Sequence, residues 1–278
     1  MTGAQFRLSL PLAILFAFCF IAPLTILVVM SFSDQAAAGG FTLGHYRAIF
    51  TDPFNLSILL DTLLLGVKAT LLCLLFGYPV AWVASRASPR WQSILLFMVV
   101  LPIMTSVVVR TFSWIVILGR NGVLNRAMLA LGMIDEPVRL LFSETAVVVV
   151  LAQVQMPLMV LPILTAIGKI DPNLSDASRA LGAGEWRTFR RVTLPLSMPG
   201  IIAGCLLTYS ACVTAFVTQS LIGGARLLYM PLRIYQQAVG ANDWPFAAAL
   251  SITFMIAVVL VAIGLNMLSA RSSRHAQS

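Results

Sequence analysis

Residues 8–30, 58–84, 93–118, 144–167, 198–220 and 246–270 form six apolar runs, each longer than the ~20 residues a helix needs to cross a bilayer. That length decides the fold class before any other feature is read. In hydrocarbon every backbone N–H and C=O must find its partner within the protein, which leaves helices and closed barrels. The period-2 alternation of a barrel strand is absent. The expectation is an all-α integral membrane protein with six transmembrane helices. With 59% hydrophobic and only 10% charged residues, little is left for a soluble domain. No internal repeat or low-complexity linker is visible, so residues 1–278 read as a single transmembrane domain.

Arg7 before the first run and Ala36-Ala37-Ala38 after it resemble the flanks of a cleaved signal. The apolar core between them exceeds the usual 7–15 residues of a signal, so the run reads as a retained anchor. Orientation follows from the basic residues of the short loops. With the N-terminus inside, the inner segments carry Arg7, Arg86, Arg90, Lys169, Arg179, Arg187, Arg190, Arg191, Arg271 and Arg274. The longer outer segments carry only Arg47, Arg120, Arg126, Arg139, Arg226 and Arg233. Both termini are therefore expected in the cytoplasm. Two outer stretches, 41–50 and 125–132, read as short amphipathic surface helices.

A net charge of +8 could suggest a nucleic-acid partner, but the basic residues are scattered over short loops and build no basic module. Cys19, Cys73, Cys205 and Cys212 all lie inside apolar runs without a CxxC pair, and read as small buried residues. His45 and His275 are the only histidines, so neither a histidine metal site nor a Ser-His-Asp hydrolase is expected. No GxxxxGK[ST] exists; Gly168-Lys169 lacks both the upstream glycine and the following hydroxyl. The chain is expected to be no enzyme by itself and to carry no cofactor.

Against this background one polar island stands out. From Lys169 to Pro195 the chain carries Lys169, Asp171, Asp176, Arg179, Glu185, Arg187, Arg190 and Arg191. Within it, Asp176-Ala177-Ser178-Arg179-Ala180-Leu181-Gly182 is followed, after nine residues, by Val192-Thr193-Leu194-Pro195. The order predicts a short helix, a glycine break, a second basic helix and a proline-marked return to the membrane. Asp176 and Ser178 lie where an acid or hydroxyl favours a helix start.

The island resembles the "EAA" loop of permease subunits of bacterial ABC importers, a Glu-Ala-Ala, three residues, Gly, nine residues, Ile-x-Leu-Pro pattern. Here Asp replaces Glu, Ser replaces the second Ala and Val replaces Ile. Further stretches look like the spermidine/putrescine permease family, and within it more like the PotB-like than the PotC-like half. They include Gly77-Tyr78-Pro79-Val80-Ala81-Trp82, Val109-Arg110-Thr111, Gly122-Val123-Leu124-Asn125, Met198-Pro199-Gly200-Ile201-Ile202-Ala203-Gly204 and Asn242-Asp243-Trp244-Pro245-Phe246.

The resemblance implies the type I ABC importer permease fold, working by alternating access in a bacterial inner membrane. It implies four kinds of partner: a second (PotC-like) permease subunit, a cytoplasmic ABC ATPase dimer, a periplasmic solute-binding protein and membrane lipid. Polyamines or a related small organic solute would be the cargo. The cytoplasmic segment 168–197 would couple to the ATPase through Asp176, Ala177, Ser178, Ala180, Leu181, Gly182, Glu185, Leu194 and Pro195. An ion-coupled secondary transporter is the alternative; it would call for a coupling-ion site and usually repeats.

Candidate solute-pathway residues come from charge and aromaticity at membrane depth. Lys68 reads as lying near mid-membrane, where a charge marks a pathway or a buried pair. Asp61 is two turns away, ~10 Å, too far for direct contact unless the side chains bend toward each other. Arg110 reads as lining the outer mouth or binding a carbonyl at a helix end. Trp114, Tyr209, Phe216 and Trp244, with Glu144 and Asp243, could together carry a protonated amine by cation–π and charge contacts. Asp243-Trp244-Pro245 also fits the cap and first turn of the sixth helix.

Overall fold

The computed structural model describes residues 3–34 and 40–275; Ala36, Ala37 and Ala38, weighed above as a signal-like flank, lie outside the described residues. Six helical stretches among them are long and apolar enough to cross a membrane, the number the hydropathy pattern predicts, with the third at Val107–Ala130 rather than 93–118. By its contacts the chain divides into two compact units, Met1–Leu59 with Met230–Ala257, and Leu60–Tyr229 with Val258–Ser278.

The first unit holds α1 (Gly3–Ser31), a short antiparallel pairing of β1 (Ser33–Asp34) with β2 (Gly40–Phe41), and α2 (Gly44–Thr51). It also holds the start of α3 (Pro53–Arg86), α12 (Met230–Tyr235) and the start of α13 (Trp244–His275). The surface helix expected at 41–50 is α2. Phe32 stacks on Phe41 and tilts against Tyr46, whose hydroxyl donates to the buried Ser31 at 2.7 Å. Helix starts follow acid-plus-proline signals. Asp52 precedes Pro53 and accepts from the Phe54 N–H at 3.0 Å, while Asp243 accepts from the Phe246 N–H at 3.0 Å just before Pro245. Cys19 is exposed on α1, unlike the buried residue expected there, because α1 leaves nearly all its described side chains uncovered.

In the second unit α7 (Glu144–Gly168) is the buried axis and α10 (Leu194–Val213) lies along it. Gly200 and Gly204 permit that approach. A Cβ on Gly200 would stand 2.5 Å from Ala166 Cβ and 2.6 Å from the Pro162 carbonyl oxygen, and one on Gly204 3.1 Å from the Met159 carbonyl. Small residues at this spacing bring helix backbones together where lipid supplies no hydrophobic drive. Around the axis, Leu65, Ala69 and Cys73 of α3 are fully buried. The surface helix expected at 125–132 is α6 (Val123–Ala130).

Two expected spans prove discontinuous. The run at 93–118 is not one helix but α4 (Pro89–Met104) and α5 (Val107–Leu118), separated by extended Thr105 and Ser106. Pro102 cannot donate to the preceding turn, and both the N–H and the hydroxyl of Thr105 turn back to its carbonyl, at 3.3 and 2.8 Å. The run at 198–220 begins earlier, as α10, and stops at Thr214–Ala215 before α11 (Phe216–Gly223). Buried Gln219 closes that break, its Nε2 donating to the carbonyls of Cys212 and Val213 at 2.8 and 3.1 Å.

Candidate functional site

The polar island folds as a helix, a tight turn and a second helix. α8 (Pro172–Ala180) starts at Asp171, which accepts from the Asn173 N–H at 2.9 Å with Pro172 in the first turn. The cap expected at Asp176 and Ser178 is therefore corrected: the Asp171-Pro172 pair fixes the start one turn earlier, and both residues lie within the helix. α8 ends in a Schellman turn. The Gly182 N–H donates to the Arg179 carbonyl at 2.9 Å and the Ala183 N–H to the Ser178 carbonyl at 3.1 Å, with Gly182 at φ +80°. The glycine bend is where the sequence predicts it, and its left-handed backbone is the reason for glycine.

After the turn, α9 (Glu185–Thr188) runs through a π-helical turn, Phe189–Thr193, directly into α10. The proline-marked return is thus no break. Pro195 has no N–H and its ring crowds the preceding turn, and the i→i−5 bond from Leu194 N–H to the Phe189 carbonyl widens the helix just before it. Leu194 and Pro195 are half-buried, Leu194 against the core, so they anchor the segment rather than its exposed tip.

Side chains tie the two helices together. The Ser178 and Thr188 hydroxyls meet at 3.0 Å, Arg179 donates to Glu185 at 2.6 Å and Arg86, from the end of α3, donates to the other oxygen of Glu185 at 2.9 Å. Asp176 pairs with Arg179 one turn on, at 3.6 Å. The Arg86 hydrogen bond, and then the Arg179 charge, hold the Glu185 carboxyl below the usual carboxylate range. Arg86 also lies over the Trp82 ring at 4.4 Å, and Phe189 meets Tyr78, Trp82 and Trp186. Outside this cluster Ala177, Ala180 and Leu181 are exposed, Leu181 by 89%, beside the exposed Arg187, Arg190 and Arg191; Trp186, stacked on Phe189, is itself 73% exposed. Sequence reasoning missed Arg86, Trp186 and Thr188; the exposed tryptophan in a charged segment was the available signal.

Midway along α3, Lys68 forms an ion pair with Glu144, the first residue of α7. α3 has 34 residues, about 51 Å, well beyond the ~30 Å hydrocarbon core. Lys68 stands about 27 Å along the helix from Arg86 and about 22 Å from Pro53, while its partner Glu144 opens α7.

Arg110 follows the α4–α5 break, and its Nη2 donates to the Thr105 carbonyl at 3.2 Å, so the helix-end carbonyl is its partner. It borders two cavities. One, of about 500 Å³, is lined by both helix breaks, with Val107 and Arg110 on one side and Thr214 and Phe216 on the other. The second, of about 360 Å³, adds Trp114, whose Nε1 donates to Gln153 at 3.2 Å. Arg110, Trp114 and Phe216 are thus brought to neighbouring cavities. Tyr209 is wholly buried in α10. Asp243 and Trp244 belong to the first unit, Asp243 as the α13 cap and Trp244 donating to Asn242 at 3.1 Å.

A family profile described as "Binding-protein-dependent transport system inner membrane component" matches residues 74–274. The chain is similar to the spermidine/putrescine transport system permease protein PotB of Escherichia coli strain K12, 39% identical over 221 residues, 80% of each chain. It is also similar to that of Haemophilus influenzae, 38% identical over 220 residues, 79% of this chain and 77% of the relative. Among solved structures, a chain of a bacterial alginate ABC transporter, in complex with an alginate pentasaccharide-bound periplasmic protein, superposes with a TM-score of 0.79. That match covers 97% of this chain and 95% of the other at 21% identity, and it shows the fold, that of type I ABC importer permeases.

Proposed function

The chain belongs to the family of binding-protein-dependent transport system inner membrane components, and from that premise we propose that it supplies one half of a polyamine translocation pathway. As such, residues 1–278 act as a single transmembrane permease domain. A second, PotC-like subunit supplies the other half, a cytoplasmic pair of ATPases drives the cycle, and a periplasmic binding protein delivers the solute. The charge asymmetry of the loops supports cytoplasmic termini and a cytoplasmic coupling segment.

The observation that carries this reading is the α8–α9 corner. Its Schellman turn holds Leu181 and Trp186 outward while Arg86, Arg179 and Glu185 fix the helices behind them. A small apolar tip on a braced corner suits docking into a groove of a soluble partner. Nucleotide-driven closure of the ATPases then moves the corner, and the spans rock between outward-open and inward-open arrangements. The chain makes and breaks no covalent bond in this scheme.

The test is uptake of radiolabelled spermidine and putrescine by proteoliposomes holding both permease subunits, the ATPase and the cognate binding protein. ATP-dependent accumulation of either is expected. Accumulation without ATP, driven by an ion gradient, would overturn the importer mechanism; uptake of unrelated solutes only would overturn the polyamine assignment.

A further inference from the structure

The Lys68–Glu144 pair is built unlike a clamp. Its side chains are 51% and 48% exposed, and a pair so accessible adds little to stability. Charges this close to the hydrocarbon do not face lipid at such exposure, so the pair faces water or a polar neighbour. Asp61, two turns earlier on the same face of α3, is exposed as well. Tyr229 ties these groups together: burial, then the charges of Glu144 and Asp61, push its phenol up. One lysine thus stands near two carboxylates, at the start of α7 and away from the coupling corner that follows its end.

The chemistry of that lysine matters. Its side chain is four methylenes ending in a primary ammonium, which is one end of an alkyl diamine. We infer that Glu144 is a seat for a primary ammonium group of the transported solute and that Lys68 is its tethered occupant, leaving when the solute arrives. Exchange of one ammonium for another conserves charge, so the carboxylate is never left bare. It also removes an objection to a cation on a polycation's route, because Lys68 stands there already neutralised. Asp61 lies where it can receive the displaced Lys68 or a second amine of the solute. The inference rests on the polyamine reading above and adds a site to it.

The experiment measures equilibrium binding of radiolabelled spermidine to the detergent-purified complex of both permease subunits and the ATPase pair, without binding protein. Wild-type uptake in proteoliposomes with binding protein is measured beside it. Lys68→Met removes the competitor and should bind spermidine about two- to fivefold more tightly, the range set by what an exposed ion pair is worth. Glu144→Gln should bind more weakly than wild type. Should Lys68→Met fail to assemble, Lys68→Gln removes the same charge with a polar head and should tighten binding likewise. Unchanged or weaker binding in the lysine variants, or no binding by any form while wild-type uptake of spermidine proceeds, overturns the seat alone. Wild-type proteoliposomes that import a different solute and no polyamine overturn the polyamine reading instead.

Discussion

Replacing Gly182 separates a bend that matters from a loop that merely connects. Its φ of +80° is disfavoured for any residue with a Cβ, yet an added Cβ would meet nothing within 4 Å. The cost of substitution is therefore conformational. For Gly182→Ala it should be about 1–2 kcal/mol, the penalty of a left-handed backbone. Gly182→Val should cost more, up to about 3 kcal/mol, because β-branching narrows the choice further. Gly182→Asn should cost least, since asparagine tolerates this region. A penalty of one to two kcal/mol lowers the population of the native corner relative to alternatives about 5- to 30-fold. The assay is solute uptake together with binding-protein-stimulated ATP hydrolysis in proteoliposomes. Both should fall in the order Asn, Ala, Val, while membrane insertion is retained because the corner lies outside lipid. Wild-type values for Gly182→Val would refute the coupling role; equal losses for Asn and Val would refute the conformational argument.

A single cysteine at Ala180 on a background lacking Cys19, Cys73, Cys205 and Cys212 should resist impermeant thiol reagents in intact cells, and one at Arg226 should label; the reverse pattern would invert the topology. Gly200→Val should overpack the α7–α10 contact by about 1–3 kcal/mol, read as a lower melting temperature of the purified complex, and an unchanged melting temperature would mean the helices can part freely. Glu185 has a folded carboxyl pKa below its ordinary value of about 4.3, so its contribution is complete above that value and is lost only as pH falls through the lowered one. Stimulated ATP hydrolysis should therefore show no Glu185-dependent loss between pH 8 and pH 5, whereas Glu185→Gln should be impaired throughout; an activity drop near pH 6 absent from the variant would contradict the pairing.

What was legible in the sequence was local. Apolar run length gives the helices, and the spacing from Asp176 to Pro195 gives the corner and its glycine. Asp243 reads correctly as a cap because the signal sits within three residues of its target. The misses share a cause. Lys68 meets Glu144 across 76 residues and Arg86 meets Glu185 across 99, separations at which no pattern in one sequence pairs a charge with its partner. The break at Thr214–Ala215 carries neither glycine nor proline, so it passes unnoticed inside apolar text, and the one at Thr105–Ser106 is foreshadowed only by Pro102 in the turn before it.

α9, the π-turn and α10 run from Glu185 to Val213 without a non-helical residue between the exposed tip and the far end of the fifth span. The rod is pinched tightest against α7 where Gly200 and Gly204 touch it. That crossing serves as a fulcrum, with Trp186 about 24 Å to one side and Val213 about 17 Å to the other. A push on the short helix at the tip reappears beyond the crossing reversed in direction and about two thirds as large. It arrives at the Thr214–Ala215 gap, where the rod ends and the larger Arg110 cavity begins.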